Sequence, residues 1–143
     1  MSVELIVVGI DDSPGSCAAA GWAADLAAAL GARVIAVHAF EPLGHLDAVG
    51  PDADFTEVEA SIRVRLEGEW CRNLMESGVD LEIEIKHGRP ADVLIDLARQ
   101  VDADLIVVGA RRMGWFQTLA LGSTSQRVLH EARRPVTVIH PPD

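Results

Sequence analysis

The 143-residue sequence contains one lysine, Lys86, and lacks both of the glycine-rich phosphate-binding motifs that are easiest to recognise. It has no GxGxxG, so the standard dinucleotide-binding fingerprint is missing, and no GxxxxGK(S/T), so it has no P-loop. Cys17 and Cys71 are isolated, and neither belongs to a CxxC or Cys/His pattern. The sequence therefore gives no indication of a zinc site or a disulfide framework, and we expect both cysteines to be small buried residues in a reducing compartment.

The sequence also lacks a charged leader, a cleavage site and any apolar run of membrane-spanning length, so we expect a cytoplasmic protein with no membrane partner. Its formal net charge of −10 and pI near 4.8 argue against a general nucleic-acid or anionic-membrane surface. With 49% hydrophobic residues and this length, the chain is expected to form a single domain over residues 1–143.

Five strand-like runs alternate with four helix-like segments along the chain. Three runs are described as continuously apolar: Val3–Gly9, Val34–Ala39 and Leu105–Val108. The run Leu81–Lys86 alternates strictly between apolar and charged residues, and the last run, Pro135–Ile139, begins with a proline. The helices are predicted from Pro14 to Gly31, over 54–77, after Pro90 and over 124–133. In the first helix, the apolar stripe Ala18, Trp22, Leu26 and Leu30 is flanked by many alanines, which are expected to allow close packing on the sheet.

This alternation predicts an α/β fold with a doubly wound, five-stranded parallel sheet and helices on both faces. If the alternating third strand lies at an edge, the strand order is 3-2-1-4-5 and reverses between the first and fourth strands. The loops that follow these two strands, Ile10–Ser13 and Gly109–Ser125, are then expected to face each other across a crevice.

The segment from Gly109 to Ser125 has the composition of a phosphate site. A glycine ends a buried strand, and Gly122-Ser-Thr-Ser125 reads as a helix start rich in hydroxyl donors beside the positive end of the helix dipole. Arg111 and Arg112 can add charge-assisted contacts. The alternative is an ordinary loop with a capped helix and solvated arginines.

Other polar residues near the predicted crevice have two interpretations. Asp11 can accept from a ribose or purine group or hold a divalent ion against phosphates, while Ser13 can simply cap the first helix. His38, at the end of the second strand, either faces a base or only ends the strand. The remaining histidines form no metal-ligand spacing, and no Ser/His/Asp set can be assembled with any specificity.

Several segments together resemble the universal stress protein family. These are Val7-Val-Gly-Ile-Asp-Asp-Ser-Pro14, Gly88-Arg-Pro-Ala91, Ala103-Asp-Leu-Ile-Val-Val-Gly109, Leu121-Gly-Ser-Thr-Ser-Gln-Arg-Val-Leu129 and Arg134-Pro-Val-Thr-Val-Ile139. The resemblance covers nearly the whole chain and implies a Rossmann-like fold. It also implies a homodimer formed by pairing the last strands, here Val136, Thr137, Val138 and Ile139, which fits the edge left exposed by the predicted strand order.

The family divides into members that bind ATP and members that do not. Its binding signature is a glycine, two residues, a second glycine, nine residues, and then glycine with Ser or Thr. Gly109, Gly122 and Ser123 match this register, but the second glycine is replaced by Arg112; Gly114 fits a further glycine that is frequent in the loop. If that position requires positive φ or close backbone approach, Arg112 blocks phosphate, and otherwise its guanidinium can bind phosphate.

The resemblance implies ATP as a regulatory ligand, with Mg²⁺ or Mn²⁺ carried alongside the phosphates. Asp11 would contact ribose or metal, and Gly9 and Val37 would line the base pocket. The phosphates would lie against the remaining predicted site residues, Gly109, Arg111, Arg112, Gly114, Gly122, Ser123, Thr124 and Ser125. Two alternatives stay open: a dimeric interaction module that binds no nucleotide, and a slow ATPase. Turnover is not expected, since no general base or transition-state lysine is evident, and an unidentified protein partner would read the liganded state.

Overall fold

The computed structural model describes residues 2–41, 55–113, 118–120 and 122–142, with the backbone alone at 111–113 and 118–120. A parallel sheet is formed by β1 (Leu5–Gly9), β2 (Arg33–Phe40), β3 (Leu81–His87), β4 (Leu105–Gly109) and β7 (Val136–Ile139), in the order β3-β2-β1-β4-β7. The short strands β5 (Arg111–Met113) and β6 (Thr118–Ala120) form a separate two-stranded ribbon, so β7 is the fifth strand of the parallel sheet and the predicted order 3-2-1-4-5 is confirmed.

Helices cover both faces of the sheet, as predicted. They are α1 (Pro14–Leu30), α2 (Thr56–Arg65), α3 (Arg72–Glu76), α4 (Pro90–Gln100) and α5 (Ser123–Glu131). α1 and α3 pack on one face, and α4 and α5 pack on the other. The first helix begins and ends where the sequence indicates: the Ser13 hydroxyl accepts a hydrogen bond from the Ser16 amide at 3.1 Å, and Gly31 ends the helix at φ 69°.

The structure buries the alanines of α1 against the sheet, while half of the predicted stripe, Ala18 and Leu26, is only partly buried. Trp22 and Leu30 are exposed, at 37% and 52%, whereas the face buried against the sheet consists of small residues, Ala19, Ala20, Ala23, Ala24 and Ala27. The reason is the short distance between α1 and the sheet, which leaves room for methyl groups only. Large side chains fit only on the flanks of such a closely packed helix.

The helix predicted over 54–77 is interrupted. α2 continues into a π-helical turn, Leu66–Trp70, in which the Cys71 amide donates to the Leu66 carbonyl at 2.8 Å, and α3 follows. The π-helical turn contains one residue more than an α-helical turn, so the residues after it that face the core are shifted by one position. Leu66, Cys71 and Leu74 are therefore buried, while Trp70 is only partly buried. A regular four-residue spacing does not anticipate this shift.

The two cysteines have different environments. Cys17 is exposed, so the prediction that it is buried is wrong, while Cys71 lies in the core as expected. Burial, reinforced by the nearby charge of Glu67, raises the pKa of the Cys71 thiol from 9.0 to about 11. The buried thiol is therefore protonated and unreactive at neutral pH.

We expect an alkylating reagent at pH 8 to modify Cys17 in the native protein and to spare Cys71 until denaturant is added, as read by peptide mass spectrometry. Because the Cys71 pKa is raised on folding, its contribution to stability is complete below the unfolded value of 9.0 and is lost as pH rises towards 11. The chain has no tyrosine and one lysine, so few other groups titrate in this range. Equal labelling of both thiols in the native protein would contradict the assignment, and Cys71→Ala should flatten the pH dependence.

Candidate functional site

A cavity of about 500 Å³ lies at the carboxyl ends of β1 and β4, where the strand order reverses. This volume suits a small-molecule ligand. Eight predicted site residues line it: Gly9, Asp11, Val37, Gly109, Gly122, Ser123, Thr124 and Ser125. Gly114 and the side chains of Arg111 and Arg112 lie outside the described residues.

The end of β4 and the first turn of α1 are in direct backbone contact. A Cβ on Gly109 would lie 2.2 Å from the carbonyl carbon of Gly15, and a Cβ on Gly15 would lie 2.1 Å from the Ala110 carbonyl oxygen. Both positions therefore require glycine, whether or not a ligand is bound. Gly109 was singled out as a phosphate-approaching residue, and the structure gives it a second role: it lets the two walls of the crevice meet.

The loop after β1 combines the two interpretations of its polar residues. The Ser13 amide donates to the Asp11 carboxylate at 2.8 Å, and the Asp11 amide donates to the Ser16 hydroxyl at 2.8 Å. Ser13 itself caps α1. Asp11 is half-buried and lines the cavity, whereas Asp12 is exposed. Asp11 thus orders the turn and also lines the cavity.

The N-terminus of α5 forms the opposite wall. Gly122 is the cap residue and accepts the first helical hydrogen bond, from the Gln126 amide at 3.0 Å. The amides of residues 123–125 precede that bond and belong to the part of a helix that binds anions. The Ser125 hydroxyl, however, is buried and donates to the Gly109 carbonyl at 3.1 Å. The hydroxyl therefore fixes α5 to the end of β4, while the role of Ser125 as a phosphate donor from the helix start stays a prediction.

The segment predicted as a loop after β4 contains an antiparallel ribbon. β5 (Arg111–Met113) pairs with β6 (Thr118–Ala120), with Arg112 opposite Leu119. Extended strand backbone is accessible to every residue type, so Arg112 does not need the positive φ that would have made arginine unfavourable there. The strand conformation removes the objection based on positive φ, and the two roles predicted for the side chain, blocking phosphate or binding it, both stay predictions.

Sequence reasoning missed much of the cavity wall. Ile10, Ser13 and His38, which the sequence places near the crevice, do line the cavity. The lining residues that were not anticipated are Ser16, Ala39, Glu41, Arg89, Pro90, Ala91, Val93, Leu94, Val108 and Arg127. Arg89 is the N-cap of α4, and Pro90 occupies its first turn. The sequence did contain a signal for the residues at the start of α4. Because α4 follows β3 directly, its start must lie at the same edge of the sheet as the starts of α1 and α5.

Arg127 connects the two helices that flank the cavity. Its guanidinium is paired with Asp92 of α4 and lies 3.2 Å from Glu131 on its own helix. The hydrogen bond with Asp92 raises the pKa of Arg127, so the side chain remains charged. Among the described residues, no group of three His, Cys, Asp or Glu side chains is placed to hold a metal ion, and none of the helices they form is long and apolar enough to cross a membrane.

Comparison with known sequences fits this architecture. The profile described as the universal stress protein family matches residues 3–140. The chain belongs to the universal stress protein family. A family member from Thermus aquaticus is 36% identical over 137 residues, which cover 95% of this chain and 98% of the relative. One from Mycobacterium tuberculosis is 37% identical over 135 residues, which cover 93% of this chain and 44% of the relative. The chain thus spans a little under half the length of such mycobacterial members.

Solved structures of the family share the fold. A universal stress protein in complex with cAMP has 27% identity and a TM-score of 0.72, and the match covers 99% of this chain and 100% of that one. The Archaeoglobus fulgidus protein in complex with dAMP has 25% identity and a TM-score of 0.72, with 97% and 99% covered. The Rossmann-like sheet expected from the sequence is therefore confirmed.

Proposed function

We propose that this chain binds an adenine nucleotide, with ATP as a regulatory ligand, in the cavity between β1 and β4. The observation that carries the proposal is that a cavity of about 500 Å³ has the first turn of α5 on one side and the ends of β1 and β2 on the other. Two structures that resemble this chain contain cAMP and dAMP, which are adenine nucleotides. Support therefore comes from both the chemistry of the wall and the family.

The phosphate end of the ligand is assigned to α5. Gly122 has no Cβ, and the amides of Ser123 and Thr124 lie at the positive end of the helix dipole. Two arginines, Arg89 and Arg127, also line the cavity, as do two acidic residues, Asp11 and Glu41. In a protein of net charge −10, this local set of donors is what makes binding of a polyanion favourable.

The base is assigned to the apolar part of the wall, which includes Val37, Leu94 and Val108. The Ile10 amide donates to the Val37 carbonyl at 2.9 Å, so by strand alternation the N–H and C=O of Ala39 also point to the β1 side, beyond the end of β1. A neighbouring backbone donor and acceptor complement N1 and the exocyclic amino group of adenine. This pairing favours adenine over guanine.

A divalent ion fits this site only together with the nucleotide. Mg²⁺ is normally held by one or two carboxylates plus phosphate oxygens and water, and Asp11 supplies one carboxylate on the cavity wall. Bound Mg²⁺ or Mn²⁺ would neutralise phosphate charge beside Asp11. We therefore propose Asp11 as the residue that faces the metal or the ribose.

We further propose a homodimer in the cytoplasm, formed through β7, with a role in stress response. Among the described strands, β7 pairs only with β4, and its residues Val136–Ile139 are all half-buried in the single chain. A parallel sheet with an edge of this kind can continue across a two-fold axis into a second copy. A protein partner would then read the liganded state, and we assign no catalytic role to the site.

The direct test is to denature freshly purified protein, look for released nucleotide by mass spectrometry, and then titrate ATP calorimetrically with Mg²⁺ or Mn²⁺. We expect saturable binding, with GTP and tripolyphosphate as weaker-binding controls. Absence of both released nucleotide and heat at about millimolar ATP, a limit that corresponds to roughly −4 kcal/mol, would overturn the proposal in favour of an interaction module. ATP turnover that is lost in Asp11→Ala would instead support the slow ATPase.

A further inference from the structure

His38 is a half-buried residue of β2 that lines the cavity between two other lining residues, Val37 and Ala39. Its Nδ1 atom lies 2.8 Å from the Ile10 carbonyl oxygen, just beyond the end of β1. This contact spans the gap where the first strand has ended, so the imidazole occupies a fixed place at the end of β1. By strand alternation its side chain lies on the α1 side of the sheet, opposite the side chains of Val37 and Ala39.

The contact with Ile10 determines which ring nitrogen carries the proton. A carbonyl oxygen only accepts, so Nδ1 must be the donor, and in the neutral ring Nε2 is then a hydrogen-bond acceptor. None of the hydrogen bonds among the described residues uses Nε2. The His38 Nε2 atom is not buried in the core either. Among the described residues, the one buried side-chain nitrogen or oxygen atom without a hydrogen-bond partner is Oε2 of Glu84, so Nε2, which also has no partner there, is accessible.

The plane of the imidazole is also restrained. The centroids of the Trp70 and His38 rings are 5.2 Å apart. Trp70 is itself in contact with Arg65, whose guanidinium carbon lies 4.6 Å from the centroid of the Trp70 ring. Trp70 in turn packs on the core at the end of the π-helical turn. A ring held by one hydrogen bond and one aromatic neighbour presents its remaining nitrogen in a defined direction, which is what recognition requires.

We propose that His38 is a specificity-determining residue whose Nε2 accepts a hydrogen bond from an N–H or O–H group of the ligand in the cavity. This inference rests on the proposed adenine nucleotide, which offers such donors on the exocyclic amino group of the base and on the ribose hydroxyls. Both sources share the same chemistry, and ligand analogues that lack one donor at a time distinguish them.

Two substitutions separate recognition from structure. The amide nitrogen of His38→Asn replaces Nδ1 and keeps the bond to Ile10 but removes Nε2, whereas the amide of His38→Gln reaches the Nε2 position and loses the Nδ1 donor. We expect His38→Asn to retain the thermal stability of the parent and to bind ATP roughly tenfold more weakly, the loss of about one hydrogen bond. His38→Gln should show the opposite pattern, with lower stability and nearly unchanged affinity.

Calorimetric titrations of each variant with ATP, 2′-deoxy-ATP, 3′-deoxy-ATP and ITP identify the donor. An analogue that lacks the recognised donor should bind the parent and His38→Asn with equal affinity, whereas an analogue that keeps this donor should bind His38→Asn roughly tenfold more weakly than the parent. In the parent, the ¹⁵N resonance of Nε2 should change on adding ATP while Nδ1 stays protonated.

Equal affinity of the parent and His38→Asn for ATP would overturn the role of His38 while leaving the nucleotide site intact. Equal losses for all four nucleotides in His38→Asn would also overturn it, because that result indicates a merely structural residue. If the parent itself bound none of the four, both this inference and the proposed function would fail.

Discussion

Replacing Gly15 with alanine is expected to destabilise the protein by at least about 3 kcal/mol, the upper end of the range for forcing extra atoms into a packed core. The new Cβ would lie 2.1 Å from the Ala110 carbonyl oxygen, which is backbone and cannot rotate away. α1 would have to move off the sheet, and its buried alanine face with it. The better helix propensity of alanine, worth about 1 kcal/mol, opposes this loss but is much smaller.

Gly21→Ala is the matched control, since both glycines lie in α1 and the chemical change is the same. A Cβ at Gly21 would meet only the Asn73 side-chain amide at 3.5 Å, an ordinary contact. We expect this variant to be as stable as the parent or about 0.5–1 kcal/mol more stable. Urea denaturation of both variants measures the difference, and similar midpoints would show that the contact between α1 and β4 is not as close as described.

Ser123→Asp is expected to lower ATP affinity on the order of 100-fold without harming the fold. Ser123 is exposed, is the first residue of α5 and lines the cavity. A carboxylate there stabilises a helix N-terminus by about 0.3–1 kcal/mol, so thermal stability should be equal or higher. The same carboxylate would repel phosphate over a few ångströms, where like charges at a protein surface cost about 4 kcal/mol before screening.

The control for this substitution is Gln126→Glu, which adds the same charge to the same helix. Gln126 is exposed but is not part of the cavity wall. We expect it to change ATP affinity only slightly, and adenosine, which has no phosphate, to bind the parent and Ser123→Asp alike. If Ser123→Asp bound ATP as tightly as Gln126→Glu does, the phosphates would not lie at the start of α5.

The sequence predicts the sheet well because its signals are local and repeated. Continuously apolar runs mark β1, β2 and β4, and the alternation at Leu81–Lys86 places β3 at an edge, where the structure has it. The same local reasoning is not sufficient for α1, where Trp22 and Leu30 belong to the apolar stripe and are exposed in the structure. Which side of an alanine-rich helix is buried depends on contacts that are distant in sequence, here Gly15 against Gly109 and Ala110.

The candidate site shows the same contrast between local sequence signals and contacts that are distant in sequence. Residues that lie in the loops after β1 and β4 were found because strand order brings those loops together, and Gly109 and Ser123 are examples. Arg89 and Leu94 were missed because they belong to the crossover after β3, whose distance from the crevice depends on how far α4 reaches over β1. The contact of the Ser125 hydroxyl with the Gly109 carbonyl could not be anticipated, because this partner is defined only by the folded chain.

The π-helical turn has a consequence for the length of the family's sequences. Because the Cys71 amide bonds to the carbonyl five residues back, the segment Leu66–Trp70 contains one residue more than an α-helix of the same shape needs. A relative that lacks one residue here would restore ordinary helical hydrogen bonding and would still turn the counterparts of Leu66, Cys71 and Leu74 towards the sheet. A one-residue gap at this point of an alignment is thus expected to leave the packing of the core unchanged, although a gap inside a helix is usually disruptive.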